Sequence, residues 1–178
     1  MSASDSSPSA PRIVVMGVSG SGKTTIGALL ASELGVPFVD GDSLHPAENV
    51  RKMASGLPLD DADRAPWLDA VGEVLGSAPD GLVVACSALR RRYREIIRAR
   101  CPQAVFVHLS GSREVLADRV AGRSGHFMPA SLLGSQLATL EPLAADERGG
   151  AVDIGMPVPE VVAAAVKLLS QTAVDRRF

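Results

Sequence analysis

The residues at 17–24 carry the clearest chemistry. Gly17-Val18-Ser19-Gly20-Ser21-Gly22-Lys23-Thr24 fits the pattern G-x-x-x-x-G-K-[ST]. Glycines let a backbone turn its N–H groups inward as a nest for an anion. A helix leaving such a loop adds the positive end of its dipole. A lysine at position 23 reaches the outer phosphates, and the Thr24 hydroxyl suits Mg²⁺. Gly17, Ser19, Gly20, Ser21, Gly22, Lys23, Thr24 and Thr25 are therefore expected to form a nucleoside triphosphate site. The alternative is a glycine turn that only joins strand to helix; the Lys-Thr pair and the flanking elements argue against it. Gly17, Gly20 and Gly22 have the wrong spacing for the dinucleotide fingerprint G-x-G-x-x-G.

Two acids stand in Val39-Asp40-Gly41-Asp42. Side chains two apart on an extended backbone point the same way. Asp40 and Asp42 are thus expected to face a crevice together, one organising Mg²⁺ and the other binding or deprotonating a hydroxyl acceptor. A solvated turn is the competing account, since Asp and Gly favour turns. No Asn-Lys-x-Asp guanine box is present, which argues against a GTPase. The apolar runs at 81–86 and 103–109 end without an acid, so the metal-binding carboxylate of motor ATPases is missing.

The elements that must hold these residues alternate in type. Short apolar runs at 12–16, 36–40, 81–86, 103–109 and 151–154 read as strands. Helical patterns lie at 21–34, 46–54, 64–75, 89–100 and 112–121, then up to residue 140 and over 157–169. Strands without polar alternation, separated by helices, predict a parallel sheet covered on both faces, hence a three-layer α/β domain. The chain has 178 residues, expected to form one domain over 11–172 between tails at 1–10 and 173–178. A net charge of −2 and 3% aromatic residues disfavour nucleic acid as a partner. No apolar run approaches the ~18 residues of a membrane span, and the serine-rich start lacks an apolar signal core. Two cysteines, Cys86 and Cys101, form no disulfide framework, so a cytoplasmic location is expected. Arg90, Arg91, Arg92, Arg94, Arg98 and Arg100 spread around their helix at 100° per residue, which predicts a solvated surface and no binding stripe.

Several segments resemble the gluconokinase family. They are Gly41-Asp42-Ser-Leu-His45-Pro46, then Asn49, Lys52-Met53, Asp63-Arg64 and Pro66-Trp67-Leu68. Cys86-Ser87-Ala88-Leu89 with Tyr93-Arg94, Gly125-His126-Phe127, Leu140-Glu141-Pro142 and Ala145-Asp146-Glu147-Arg148 complete the likeness. It runs from Ile13 to about Leu169; position 90 departs from it, holding Arg where Lys is more usual.

The resemblance implies phosphorylation of D-gluconate to 6-phosphogluconate by ATP with Mg²⁺. It also implies a five-stranded sheet in the order 2-3-1-4-5, similar to shikimate kinase, with a mobile lid at about 122–136. Asp42 would hold the substrate hydroxyl, leaving Thr24 and Asp40 for the metal. Arg64 suits the gluconate carboxylate because a guanidinium donates two parallel hydrogen bonds; a surface ion pair with Asp61 or Asp63 is the alternative. His45 either contacts substrate or orients its loop, and Ser87 and His126 join the substrate set. Arg119 would lie against adenine and Arg123 would meet the transferring phosphoryl group beside Lys23. Trp67 is expected in the core. A homodimer is compatible with the family. The competing functions are a kinase for another hydroxy acid such as shikimate, and an ATP-binding sensor without turnover.

Overall fold

The computed structural model describes residues 10–122 and 130–174. Strands β1 (Arg12–Met16), β2 (Phe38–Asp40), β3 (Leu82–Ala85), β4 (Val105–Ser110) and β5 (Gly149–Asp153) form one sheet in the order β2-β3-β1-β4-β5. Every pairing is parallel, with Val14 level with Val84 on one side and Phe106 on the other. The helices are α1 (Lys23–Leu34), α2 (Ala47–Ala54), α3 (Asp61–Ser77), α4 (Arg91–Arg100), α5 (Arg113–Ala121), α6 (Ala130–Thr139) and α7 (Val158–Val174).

The strand period of two sorts the core into two layers. Ile13, Val15, Val83 and Val107 face Ile26 and Leu30 of α1 and Val161 and Ala165 of α7. Val14, Met16, Val84 and Phe106 face Leu68, Val71 and Leu75 of α3 and Tyr93 and Ile97 of α4. Helices on both faces leave the carboxyl ends of the strands as the open rim where ligands bind in such sheets.

Local chemistry sets the boundaries. α1 starts after Gly22, whose φ of 92° is left-handed, and ends at Gly35, whose N–H donates to the Ala31 carbonyl. α3 begins at Asp61, three residues earlier than the periodicity predicts. Asp60 and Asp63 form a reciprocal capping box there, 2.8 and 2.9 Å, which outweighs Pro66 within the helix. β5 begins at Gly149, not at residue 151, because the glycine pair is strand rather than turn. A Cβ on Gly149 would lie 1.9 Å from the Phe106 carbonyl oxygen.

Candidate active site

The loop at 17–22 joins β1 to α1 at the sheet rim. Gly17 and Gly20 adopt φ of 150° and 82°, and a Cβ on Gly17 would sit 2.9 Å from the Leu109 carbonyl, so only glycine closes this turn. Lys23 donates from Nζ to the Val18 carbonyl at 3.0 Å, folding over the loop. The Ser21 hydroxyl is fully buried and has no hydrogen-bond partner among the described residues. Thr25 and Arg119 line a cavity of about 220 Å³ with Gly20, Gly22, Ile26 and Val158. Arg119 is fixed there by donating to the Ile154 carbonyl at 2.6 Å. Arg123 and His126 lie outside the described residues, as does the stretch 123–129 of the segment expected to form a lid.

The two acids differ from their expected arrangement. β2 ends at Asp40, and Gly41–Leu44 turns into a single 3₁₀ turn, so Asp40 and Asp42 do not alternate along one strand. Asp40 caps that turn instead: its Oδ1 accepts from the Asp42 N–H at 3.0 Å, while its Oδ2 accepts from the Thr24 hydroxyl at 3.1 Å. Thr24 and Asp40 therefore place two hard oxygens side by side. That donor pair fits Mg²⁺, which takes one or two protein oxygens and fills its other positions with water and phosphate. Among the described residues no cluster of three His, Cys, Asp or Glu could hold a metal alone.

Charges converge on this rim. Burial pushes the Cys86 thiol up to about 12, and the thiol also feels Lys23, Asp42 and Asp40. Lysine and both acids thus surround the carboxyl end of β3. Cys86 itself is an inert packing residue there, as its apolar surroundings dictate. Ser87 follows, its carbonyl accepting from the Gly17 N–H at 3.3 Å and tying this rim to the phosphate loop.

The next layer is built on α2 and α3. His45 stacks on Trp67 with ring centres 4.1 Å apart, and Trp67 donates to the Gly41 carbonyl at 2.8 Å. Trp67 is core, as expected, and it also fixes the turn that carries Asp42. Burial holds His45 below its usual range, against the opposing pull of Asp42 and with help from Arg64. The buried Asn49, which lacked any assigned role, donates to the Asp63 carbonyl at 2.8 Å and lies 3.3 Å from His45 Nδ1.

Arg64 pairs with neither candidate acid. Asp63 is taken by Lys52, and Asp61 is taken by Arg92 and by the Tyr93 hydroxyl, which donates to it at 2.6 Å. Those hydrogen bonds, from Lys52 to Asp63 and from Tyr93 to Asp61, hold both carboxyls below the ordinary range. The Arg64 guanidinium instead points at the Tyr93 oxygen, 3.4 Å away, and rests 5.6 Å from the ring centre. Arg90 lies 6.0 Å from the same ring.

Arg94 corrects the solvated-surface expectation for α4. It is fully buried and donates to both carboxylate oxygens of Glu147, at 2.7 and 2.8 Å, and to the Ala88 carbonyl at 3.0 Å. Ala88 has φ of 43°, left-handed for a residue with a Cβ, so Arg94 holds the strained bend beside Ser87. Glu141 accepts from the Arg91 N–H at 2.7 Å and caps α4. Helical spacing places Arg94 next to Tyr93 and one turn before Ile97, both buried, which was the available signal.

A sheet in this order, with a phosphate loop after its first strand and a pair of aspartates at the end of its second, has the architecture of a P-loop small-molecule kinase. The family model of shikimate kinase matches residues 19–137, in keeping with that class and with ATP as the phosphoryl donor. A gluconokinase of Gluconobacter oxydans (strain 621H) is 55% identical over 138 residues, covering 76% of this chain and 78% of its own. The thermosensitive gluconokinase of Escherichia coli (strain K12) is 46% identical over 76% of this chain and 74% of its own. The crystal structure of a gluconokinase from Sinorhizobium meliloti 1021 superimposes with a TM-score of 0.86 at 49% identity, covering 95% of this chain and 97% of that one. The chain belongs to the gluconokinase family.

Proposed function

We propose that this protein transfers the γ-phosphoryl group of ATP to a hydroxyl of D-gluconate, giving 6-phosphogluconate. The observation that carries the choice of acceptor is Arg64. It is a guanidinium beside the Asp42 rim, with no carboxylate of its own within ion-pairing distance among the described residues. A small acid supplies the missing partner through two parallel hydrogen bonds. With the carboxylate held at Arg64, the polyol chain extends toward Asp42.

The remaining roles follow from charge. The loop N–H groups and Lys23 hold the phosphates and stabilise charge that grows on the transferring group. Asp42 accepts a hydrogen bond from the attacking hydroxyl and takes its proton as the bond to phosphorus forms. Thr24 and Asp40 would hold Mg²⁺, which when bound neutralises charge on the phosphate oxygens. Ser87 and His45 border the acceptor and fix its hydroxyls. Arg119 and Thr25 border the nucleoside side of the loop. The acceptor is a small molecule, and a cytoplasmic location suits the two unpaired buried thiols, Cys86 and Cys101.

The test is turnover with gluconate against sorbitol and glucose, neutral analogues that keep hydroxyls but lack the charge. Gluconate should be consumed efficiently and the others hardly at all, because a part-buried cation left without its counter-charge costs binding. Equal turnover of sorbitol would remove Arg64 from the acceptor site.

A further inference from the structure

One contact at the phosphate loop belongs to no role given so far. Gln136, on α6, reaches across 117 residues of sequence to Ser19. Its Oε1 accepts from the Ser19 N–H at 2.6 Å, and its Nε2 donates to the Ser19 hydroxyl at 3.0 Å. A carboxamide offers an acceptor and a donor on one carbon, so a single side chain matches both groups of one serine. Ser19 lies between Gly17 and Gly20, both of positive φ, in the loop whose pattern is that of an anion nest.

We propose that Gln136 is a nucleotide-site residue that stands in for a phosphate oxygen on the Ser19 N–H, so that nucleotide must displace it to bind. This rests on residues 17–24 being the phosphate site. A second observation agrees with it. Lys23 reaches back to the Val18 carbonyl at 3.0 Å, so the lysine of the loop also finds an acceptor within the chain. An acceptor on the Ser19 N–H keeps that backbone group paired, since an unmade hydrogen bond there would be unfavourable. The same contact lowers affinity for phosphate, because each arriving oxygen replaces an existing bond instead of adding one. Gln136 is a positioning residue: it acts through Ser19 and takes no part in proton or phosphoryl transfer.

The experiment titrates ADP with Mg²⁺ into the whole protein by calorimetry, for wild type, Gln136→Ala and Gln136→Glu. Alanine keeps the helix, being the best helix former. Removing the competing acceptor should tighten ADP binding about 3- to 10-fold, the value of one net hydrogen bond in an equilibrium constant. The KM for gluconate should stay at the wild-type value. Gln136→Ala should also melt below wild type without nucleotide and level with it at saturating ADP. Gln136→Glu should weaken ADP binding by about 10-fold or more, since a carboxylate grips the N–H more strongly and repels phosphate. Unchanged or weaker ADP binding in Gln136→Ala overturns the proposal. Failure of the wild type to bind ADP overturns the phosphate-site assignment itself, and the proposal with it.

Discussion

Replacing Arg64 with alanine should separate acceptor binding from nucleotide binding. Among the described residues the guanidinium carries no ion pair to lose: Asp61 keeps Arg92 and the 2.6 Å bond from Tyr93, and Asp63 keeps Lys52. The fold should therefore hold, with a melting temperature near that of wild type. The acceptor would lose two charge-assisted hydrogen bonds; one alone is worth about 1.5–3 kcal/mol, so gluconate KM should rise by at least about 10- to 150-fold. Affinity for ADP should stay unchanged, because the loop and Arg119 do not involve Arg64. Tyr93→Phe keeps the ring but removes the oxygen that lies 3.4 Å from Arg64, so a smaller rise of the same kind is expected. A coupled ADP-release assay over a range of gluconate concentrations, beside nucleotide calorimetry, reads both effects. A folded Arg64→Ala variant with wild-type gluconate KM would refute the carboxylate assignment.

Other expectations rest on the same rim. Lys23→Ala should lower turnover by about 10²–10³ while leaving the melting curve intact, since one preorganised donor to the developing charge is lost; steady-state rates decide it. Asp42→Asn should depress kcat strongly with nucleotide binding preserved, whereas Asp40→Asn should raise the Mg²⁺ concentration needed for half-maximal rate; normal turnover by Asp42→Asn would end its role as base. Glu147→Gln should destabilise the fold by about 3–5 kcal/mol, because it leaves Arg94 as a buried charge without its counter-charge. Glu147 also sets an acid limit. Burial pushes its carboxyl up, but the hydrogen bonds from Arg94 and Ala144 outweigh that and hold it below the usual 4.5. Its contribution is thus full above pH 4.5 and fades as pH falls through the lowered value, so Glu147→Gln should lose less stability on acidification over that window.

What was legible in the sequence tracks how local each signal is. The phosphate loop is eight consecutive residues with one backbone solution, and it sits where its pattern requires. The strands were readable because a sheet buried on both faces writes continuous apolar runs. The order of those strands is not a local property, and it came only with the family likeness. Asp40 and Asp42 show the limit of period-two reasoning: the strand stops at the first acid, and a capping bond to the Asp42 N–H redirects the second. Asp60 and Asp63 formed a legible capping box that the nearby proline concealed. The partners of Arg94 and Gln136 were illegible for a different cause. A buried arginine and a part-buried carboxamide contact are defined by partners 53 and 117 residues away, and no spacing rule encodes such a distance.

The most direct measurement is ADP release by the purified protein with ATP·Mg²⁺ across gluconate, other aldonates, shikimate and nucleoside monophosphates, with the product identified by phosphorus NMR. The account predicts rapid release with gluconate, a new phosphate monoester on its terminal hydroxyl, and little with the others. Turnover of shikimate or of a nucleotide with none of gluconate, or no acceptor-dependent release at all, would contradict it.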